Sequence, residues 1–322
     1  MKILSHSGTF HADDVFGTLV LEVVFSHKQP VILRSRDPLI VRAADATVDV
    51  GGISDPTSLR FDHHQKGFSE QRDNGVGYAS AGLVWKEFGG RFVQEMSRRI
   101  SPILSLEASE VAEIARSIDR DIVQYVDMVD NGVKPGAPGL FGLSDILSQF
   151  NPSLIDDDFL SVKFATDVDA YQSAKEELQL MRFKQAMNHL YTMLMAVIRT
   201  KISELKSRGI VLESQRIEQG KMLILTKRGA DWKSTVHAEL PEVLLVVYQD
   251  TADTNFYVQS TSASLGSFDC KLPLPENWAG LRGSDLAAVT GVGDSVFCHV
   301  NRHIAGAHSI EGAISLGRLA LK

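Results

Sequence analysis

The first fifty residues place the tightest constraint on the fold. "KILS" at 2–5, "VILR" at 31–34 and "ATVDV" at 46–50 read as short apolar strands. Between the first two, Val15, Phe16, Leu19, Val20, Val23 and Val24 recur in pairs every four positions, the apolar stripe of a helix. Strand, helix, strand is a βαβ unit, and such units assemble into parallel sheets with helices on their faces.

The pattern continues along the chain. "LRFDH" at 59–63 gives a further strand, and "ASAGLVWKEFG" at 79–89 a helix stopped by glycine. Helical spacing returns from Glu107 to Val129, where "DNG" ends it, and "NPS" at 151–153 breaks the chain. A charge-rich helical stretch fills residues 156–204. After Gly209 the runs "GIVLE", "KMLILT", "VLLVVY", "NFYVQS" and "SVFCHV" read as strands, with short helices over 283–290 and 308–320. We therefore expect an α/β protein in three parts. They are an N-terminal, mostly parallel sheet flanked by helices over 1–150, a helical connector over 151–205, and a smaller C-terminal α/β domain over 206–322.

A chain of 322 residues can support two cores of ordinary size. No run reaches the roughly 18 to 20 apolar residues that span a bilayer, and the N-terminus lacks the apolar segment of a secretory signal. Cys270 and Cys298 fit no zinc-binding spacing, which suggests buried thiols in a reducing compartment and a cytoplasmic protein. The net charge of −7 argues against coating long nucleic acid through a broad basic face. A short strand or a small phosphorylated substrate remains compatible with it.

Chemistry concentrates where the strands end, the edge at which open α/β sheets bind ligands. His6, His11 and Asp13 follow the first strand in "SHSGTFHADD". Asp49 ends the third in "VDVGG", and Asp62, His63 and His64 end the fourth. Asp127 and Asp130 share one helix face. Taken singly, each cluster has an ordinary reading: Asp13 or Asp14 can cap a helix, and Asp before two glycines is common turn chemistry. Taken together, they bring imidazoles and carboxylates to one edge without thiolates. Such a set suits Mn²⁺, Mg²⁺ or Fe²⁺ better than structural zinc. It is too many ligands for one ion and enough for two, which could bind a phosphoryl group and activate a water.

These motifs resemble the DHH phosphoesterase superfamily, and more narrowly its melanocyte-proliferating-gene (Myg) branch. "GTFHAD", "RSRDP", "VDVGG", "FDHHQ", "ASAGLV", "VDMVDNG", "LPLPENWAGLRG" and "HIAGAHSIEGAI" stand in that branch's order over the whole chain. The resemblance implies a metal-dependent exonuclease that shortens RNA from the 3′ end, using two divalent ions, Mn²⁺ before Mg²⁺. His6, His11 and Asp49 would hold one ion. Asp13, Asp49, His63 and a helix aspartate would hold the other, with Asp49 bridging and Asp130 preferred slightly to Asp127. The first motif departs from the superfamily's HxxxDxD: here it is HxxxxHxD, and His11 stands where an aspartate is usual. His64 and Asp62 are the expected catalytic pair, His64 at the scissile phosphate or behind a ligand and Asp62 orienting an imidazole.

The resemblance also implies substrate contacts from Gly306 and His308 in the C-terminal domain. Arg282 and Arg36 are the candidate phosphate forks, although Arg36 could instead pair with Asp37 on the surface. Trp232 and Trp278 are candidates either to stack on bases or to fill the core. The expected substrate is a short single-stranded RNA or a nucleotide, with no membrane partner; a homodimer is left open. Two alternatives stand beside the exonuclease: a small-molecule phosphohydrolase acting on pyrophosphate or a nucleotide, and a non-catalytic metal-binding protein. Hydrolase-elbow, dinucleotide and P-loop motifs are absent from the sequence.

Overall fold

A computed structural model describes residues 1–133, 142–267 and 269–322. It has two compact units, Met1–Arg199 and Thr200–Lys322.

The first unit is built on a five-stranded sheet: β1 (Lys2–Ser5), β2 (Val31–Arg34), β3 (Ala46–Val48), β4 (Ser54–Asp55) and β5 (Arg60–Phe61), in the order β2-β1-β3-β5-β4. β2, β1, β3 and β5 are parallel, and only the two-residue edge strand β4 runs antiparallel. The parallel core follows from the βαβ pattern, because a parallel return needs a crossover helix. That helix, α1 (Ala12–Val24), is buried on nearly every face. Gly17 lets it approach closely: a side chain there would stand 2.7 Å from Val48 of β3.

α2 (Pro38–Ala43) begins at Asp37, whose side chain accepts the Leu39 N–H at 2.7 Å. Asp37 is therefore a helix cap. α3 (Ser80–Ile100) packs along α1 and runs on through Gly89 and Gly90, so the expected glycine stop is corrected. The apolar stripe Phe88, Phe92, Val93 and Met96 is buried across those glycines, and burial outweighs their helix cost of about 1 kcal/mol each.

α4 (Ala108–Ile118) and α5 (Gln124–Asp130) join through a π turn at Asp119–Val123. α6 (Leu143–Ser148), α7 (Leu154–Lys163) and the long α8 (Val168–Glu213) follow. The stretch expected as a connector is thus two helices. α8 runs into the second unit, and "GIVLE" is its last turn, not a strand: Val211 is fully buried with Leu223 and Val246.

The second unit carries the six-stranded sheet β10-β11-β9-β8-β7-β6, from β6 (Gln215–Ile217), β7 (Met222–Ile224), β8 (Leu245–Gln249), β9 (Phe256–Ser260), β10 (Ser295–Cys298) and β11 (Ile304–Ala307). α9 (Lys233–Glu239) covers part of one face through Trp232 and Val236. α10 (Gly283–Thr290) and α11 (Ile310–Ala320) close the other face over Val247, Val258 and Ala305, with Leu316 of α11 buried against them. Trp232 and Trp278 both lie in these cores, which removes them as base-stacking candidates. Among the described residues no helix is long and apolar enough to cross a membrane.

Candidate metal centre

β1 delivers Ser5 and His6 to the carboxyl edge of the first sheet, and the chain turns through Gly8 into His11 and α1. Asp14, in the first turn, reaches back to accept the His11 N–H at 3.1 Å. Its other oxygen accepts the Ser5 hydroxyl at 3.0 Å and lies 3.0 Å from His6 Nε2. The sequence left Asp14 as a helix cap. The structure shows it fully buried and in contact with His6, a dual role that its position beside Asp13 does not reveal.

His6 Nδ1 sits 3.1 Å from the Ser7 carbonyl and so carries the donated proton. That leaves Nε2 facing Asp14 and, at 3.4 Å, Asp49 Oδ2. Asp49 follows β3 with a left-handed backbone, φ 56°, a conformation uncommon outside glycine and characteristic of constrained sites. Its second oxygen turns the other way. Oδ1 accepts the Ser80 hydroxyl at 3.1 Å and lies 3.5 Å from His63 Nε2 and 3.3 Å from His64 Nδ1.

His63 Nε2 is also 3.0 Å from Asp130 Oδ2, without a well-directed hydrogen bond. Asp13 is completely buried, and neither of its oxygens has a hydrogen-bond donor. Its polar neighbour is a second carboxylate, Asp130, which can partner it only when a proton or a cation stands between them. His11 is exposed and approaches Asp130 at 3.9 Å.

Asp62 shapes the turn after β5. Its oxygens accept the Gly52 N–H at 2.6 Å and the His64 N–H at 2.9 Å, and Oδ1 lies 3.0 Å from His64 Nδ1. With Nδ1 engaged, the exposed His64 ring offers Nε2 to solvent. Asp127 has different work. It accepts the Gly82 N–H at 2.9 Å and pairs with the Arg72 guanidinium at 2.8 Å, which also forks onto Asp119 at 2.8 and 2.7 Å. Asp127 therefore clamps α5 to α3, while Asp130, one turn later, reaches His63.

Charge crowding sets the electrostatics. Burial lowers the His6 imidazole, but Asp14 and Asp49 outweigh it and carry the pKa up to about 9. His63 rises to about 10, since Asp130 and Asp49 likewise override burial. Burial raises Asp49, yet the His6 and His63 imidazoles beside it hold it far below the usual carboxylate range. Burial first, then the charges of Asp49, Asp130 and Asp14, push Asp13 well up. Burial also lifts Asp127 to about 7 against the pull of Arg72.

Such a set accommodates added positive charge. Three overlapping groups each place one donor atom per residue within 4.8 Å of the others: His6, His11 and Asp49; Asp49, His63 and His64; His11, Asp13 and Asp130. Separations of 3.0 to 3.5 Å between His63 and Asp130, His6 and Asp49, and His63 and Asp49 match the ligand-to-ligand spacing of about 3 Å around one octahedral ion. The orphaned oxygens of Asp13 and the undirected His63 Nε2 fit direct ligation by a cation.

The remaining candidates are Arg36, Arg282, Gly306 and His308. Arg36 is exposed and donates through Nε to the Ser7 carbonyl at 3.2 Å, beside His6 in the loop. Arg282, Gly306 and His308 belong to the second unit. Gly306 lies on β11, and His308 Nδ1 is 3.0 Å from Asn255 Oδ1.

Known proteins resemble the chain along its whole length. A rat protein named MYG1 exonuclease is 32% identical over 99% of this chain and 84% of its own. The human MYG1 exonuclease is 31% identical, covering 99% and 85%. MYG1 protein C694.04c of Schizosaccharomyces pombe is 28% identical, covering 100% and 97%. Among solved structures, an exopolyphosphatase-related protein from Bacteroides fragilis aligns over 99% of this chain and 91% of its own, at 12% identity and a TM-score of 0.22. The model of the MYG1_exonuc family, described as Uncharacterised protein family (UPF0160), matches residues 2–321, and the chain belongs to that family.

Proposed function

We propose that the protein is a DHH-type metal-dependent phosphodiesterase that removes nucleotides from the 3′ end of short RNA. The observation that carries this reading is the divided carboxylate of Asp49, with Oδ2 turned to His6 and Oδ1 to His63. One aspartate serving two imidazoles in opposite directions is the arrangement a bridging ligand requires. On this reading His6, His11 and Asp49 hold one divalent ion, and Asp13, Asp49, His63 and Asp130 hold the other. Two ions bound there would neutralise a phosphoryl group and acidify a water for in-line attack; Mn²⁺ suits the mixed nitrogen and oxygen set.

The chain's own groups do the rest. The Ser7 carbonyl fixes the His6 ring through Nδ1, Asp14 adds negative charge beside Nε2, and Ser80 fixes Asp49. Asp62 holds Nδ1 of His64, so that Nε2 meets the phosphate from the solvent side. Arg36, Arg282, Gly306 and His308 are the proposed substrate contacts. The names of the rat and human relatives support the exonuclease reading.

The test is Mn²⁺-dependent cleavage of a 5′-labelled short RNA, with pyrophosphate and Asp49→Ala run in parallel. Progressive shortening from the 3′ end, lost in Asp49→Ala, is the expected result. The net charge of −7 favours a second reading, a small-molecule phosphohydrolase. Intact RNA with hydrolysed pyrophosphate would replace the first reading with the second.

A further inference from the structure

The second unit carries a row of aromatic side chains that the metal site does not use. Cross-strand partners point to the same face of a sheet. Tyr248 of β8 pairs with Tyr257 of β9, Tyr257 with Gly306 of β11, and Gly306 with Phe297 of β10. The four positions thus form one line across four strands. It lies on the face opposite α10 and α11, because the alternate residues Val247, Val258, Ala305 and Cys298 fill that core. α9 and Val211 cover Leu223 and Val246 on the same face as the row, and beyond them Tyr248, Tyr257 and Phe297 remain partly open to solvent.

Three details suit this row to flat ligands. The rings of Tyr248 and Tyr257 lie 5.9 Å apart, and those of Tyr257 and Phe297 lie 6.1 Å apart. Both phenols are anchored, Tyr248 to Gln259 and Tyr257 to Asp253, so the rings are held in place before any ligand arrives. Gly306 lets two of the rings close over the strand between them: a Cβ there would stand 3.1 Å from the Phe297 ring and 3.2 Å from that of Tyr257. At the end of the row the Arg282 guanidinium lies 5.7 Å over Phe297, and among the described residues it forms no ion pair.

We propose that Tyr248, Tyr257 and Phe297 form a stacking platform for the bases of single-stranded nucleic acid, with Arg282 set for an adjacent phosphate. The proposal rests on the nuclease reading above and adds a base-binding surface to it. Aromatic rings accept any base face, while an unpaired guanidinium meets the backbone charge, so the platform holds strands without reading their sequence. It also resolves how a chain of net negative charge binds a polyanion: the attraction is local, and stacking supplies the remainder.

The test titrates the full-length protein, with metal chelated to keep the strand intact, against a short RNA carrying 2-aminopurine and against its abasic counterpart. Hydrolysis of the same RNA is then followed with Mn²⁺. Stacking quenches the 2-aminopurine, and Tyr257→Leu and Phe297→Leu each weaken binding about tenfold, raising KM with kcat little changed. Tyr257→Phe keeps the ring but loses the Asp253 anchor, and weakens binding less than Tyr257→Leu does. Gly306→Ala keeps both rings but forces them apart, and weakens binding without loss of the fold. The abasic strand binds weakly and equally to all variants. Leucine variants that bind and quench like the wild type overturn the platform, and if wild-type hydrolysis proceeds meanwhile, the nuclease reading survives alone. Wild-type quenching without hydrolysis keeps the platform and overturns the nuclease. A wild type that binds no RNA overturns the platform, and one that also fails to hydrolyse it with Mn²⁺ overturns both.

Discussion

The Gly82 amide donates to Asp127 Oδ1 at 2.9 Å, and the other oxygen of that carboxylate fills the space a side chain at position 82 would need. A Cβ there would stand 1.9 Å from Asp127 Oδ2. Gly82→Ala must therefore push α5 away from α3, and it is expected to cost about 2 to 3 kcal/mol in thermal unfolding. Because Asp130 sits one turn further along α5, the same variant should bind Mn²⁺ more weakly by calorimetry. Gly90→Ala is the control. Its Cβ would meet only Val111, at 3.8 Å, so stability should hold or rise slightly.

Asp127 and Asp130 should separate cleanly on substitution. Asp127→Asn removes one partner of the buried Arg72 but leaves the Asp119 fork, and burial already disfavours the Asp127 charge, so the fold should be destabilised by only about 1 kcal/mol. Asp130→Asn removes a carboxylate from a crowded acidic cluster, so the metal-free protein should unfold at the same temperature or higher. Its Mn²⁺ affinity should fall by at least about tenfold to a hundredfold. Equal Mn²⁺ affinity in Asp130→Asn and wild type would remove Asp130 from the ligand set.

The strand-end clusters were legible because the chemistry needs particular side chains, and those side chains recur directly after strands that the apolar pattern marks. The division of labour between Asp127 and Asp130 was not. Three positions apart on a helix, they look alike in sequence, and the distinction depends on the π turn at Asp119–Val123 and on Arg72, far away along the chain. The run "GIVLE" shows the complementary failure. Its β-branched residues favour a strand locally, but burial of Val211 beside Leu223 and Val246 keeps it helical. The aromatic row is not legible in the sequence, because Tyr248, Tyr257 and Phe297 meet only through strand register, which a single sequence does not display.

The raised imidazoles predict a pH dependence for the metal-free protein. In the unfolded chain His6 and His63 titrate near the ordinary value of about 6.5; folded, they hold their protons to about 9 and about 10. Their contribution to stability is complete below the unfolded value and is lost as pH climbs through the folded ones. Asp127, raised to about 7, acts in the same direction at lower pH. The melting temperature of the metal-free protein should thus fall steadily from about pH 6.5 to 10. Saturating Mn²⁺ displaces the same protons, so affinity should rise with pH over that window, with about two protons released per protein. Calorimetry in two buffers of different ionisation enthalpy counts them. A pH-independent affinity would mean that His6 and His63 are not ligands.

Asp14 offers the last test, since it touches His6 without belonging to the proposed ligand set. Its carboxylate receives Ser5 and the His11 amide while facing His6 Nε2 at 3.0 Å, and Arg34 stands 3.8 Å away with its guanidinium against Phe10 and Phe183. Asp14→Asn keeps the volume and can still accept the His11 amide, but it removes the charge beside His6. Mn²⁺ affinity should fall about 10- to 100-fold, and stability should fall at least as far as in Asp127→Asn, because Arg34, buried without a hydrogen bond, loses its only nearby carboxylate among the described residues. Excess Mn²⁺ should restore most of the activity, as expected of a residue that positions a ligand. If excess metal restores nothing, Asp14 holds an ion or substrate directly, and the assignment of His6, His11 and Asp49 as one complete ligand group must be revised.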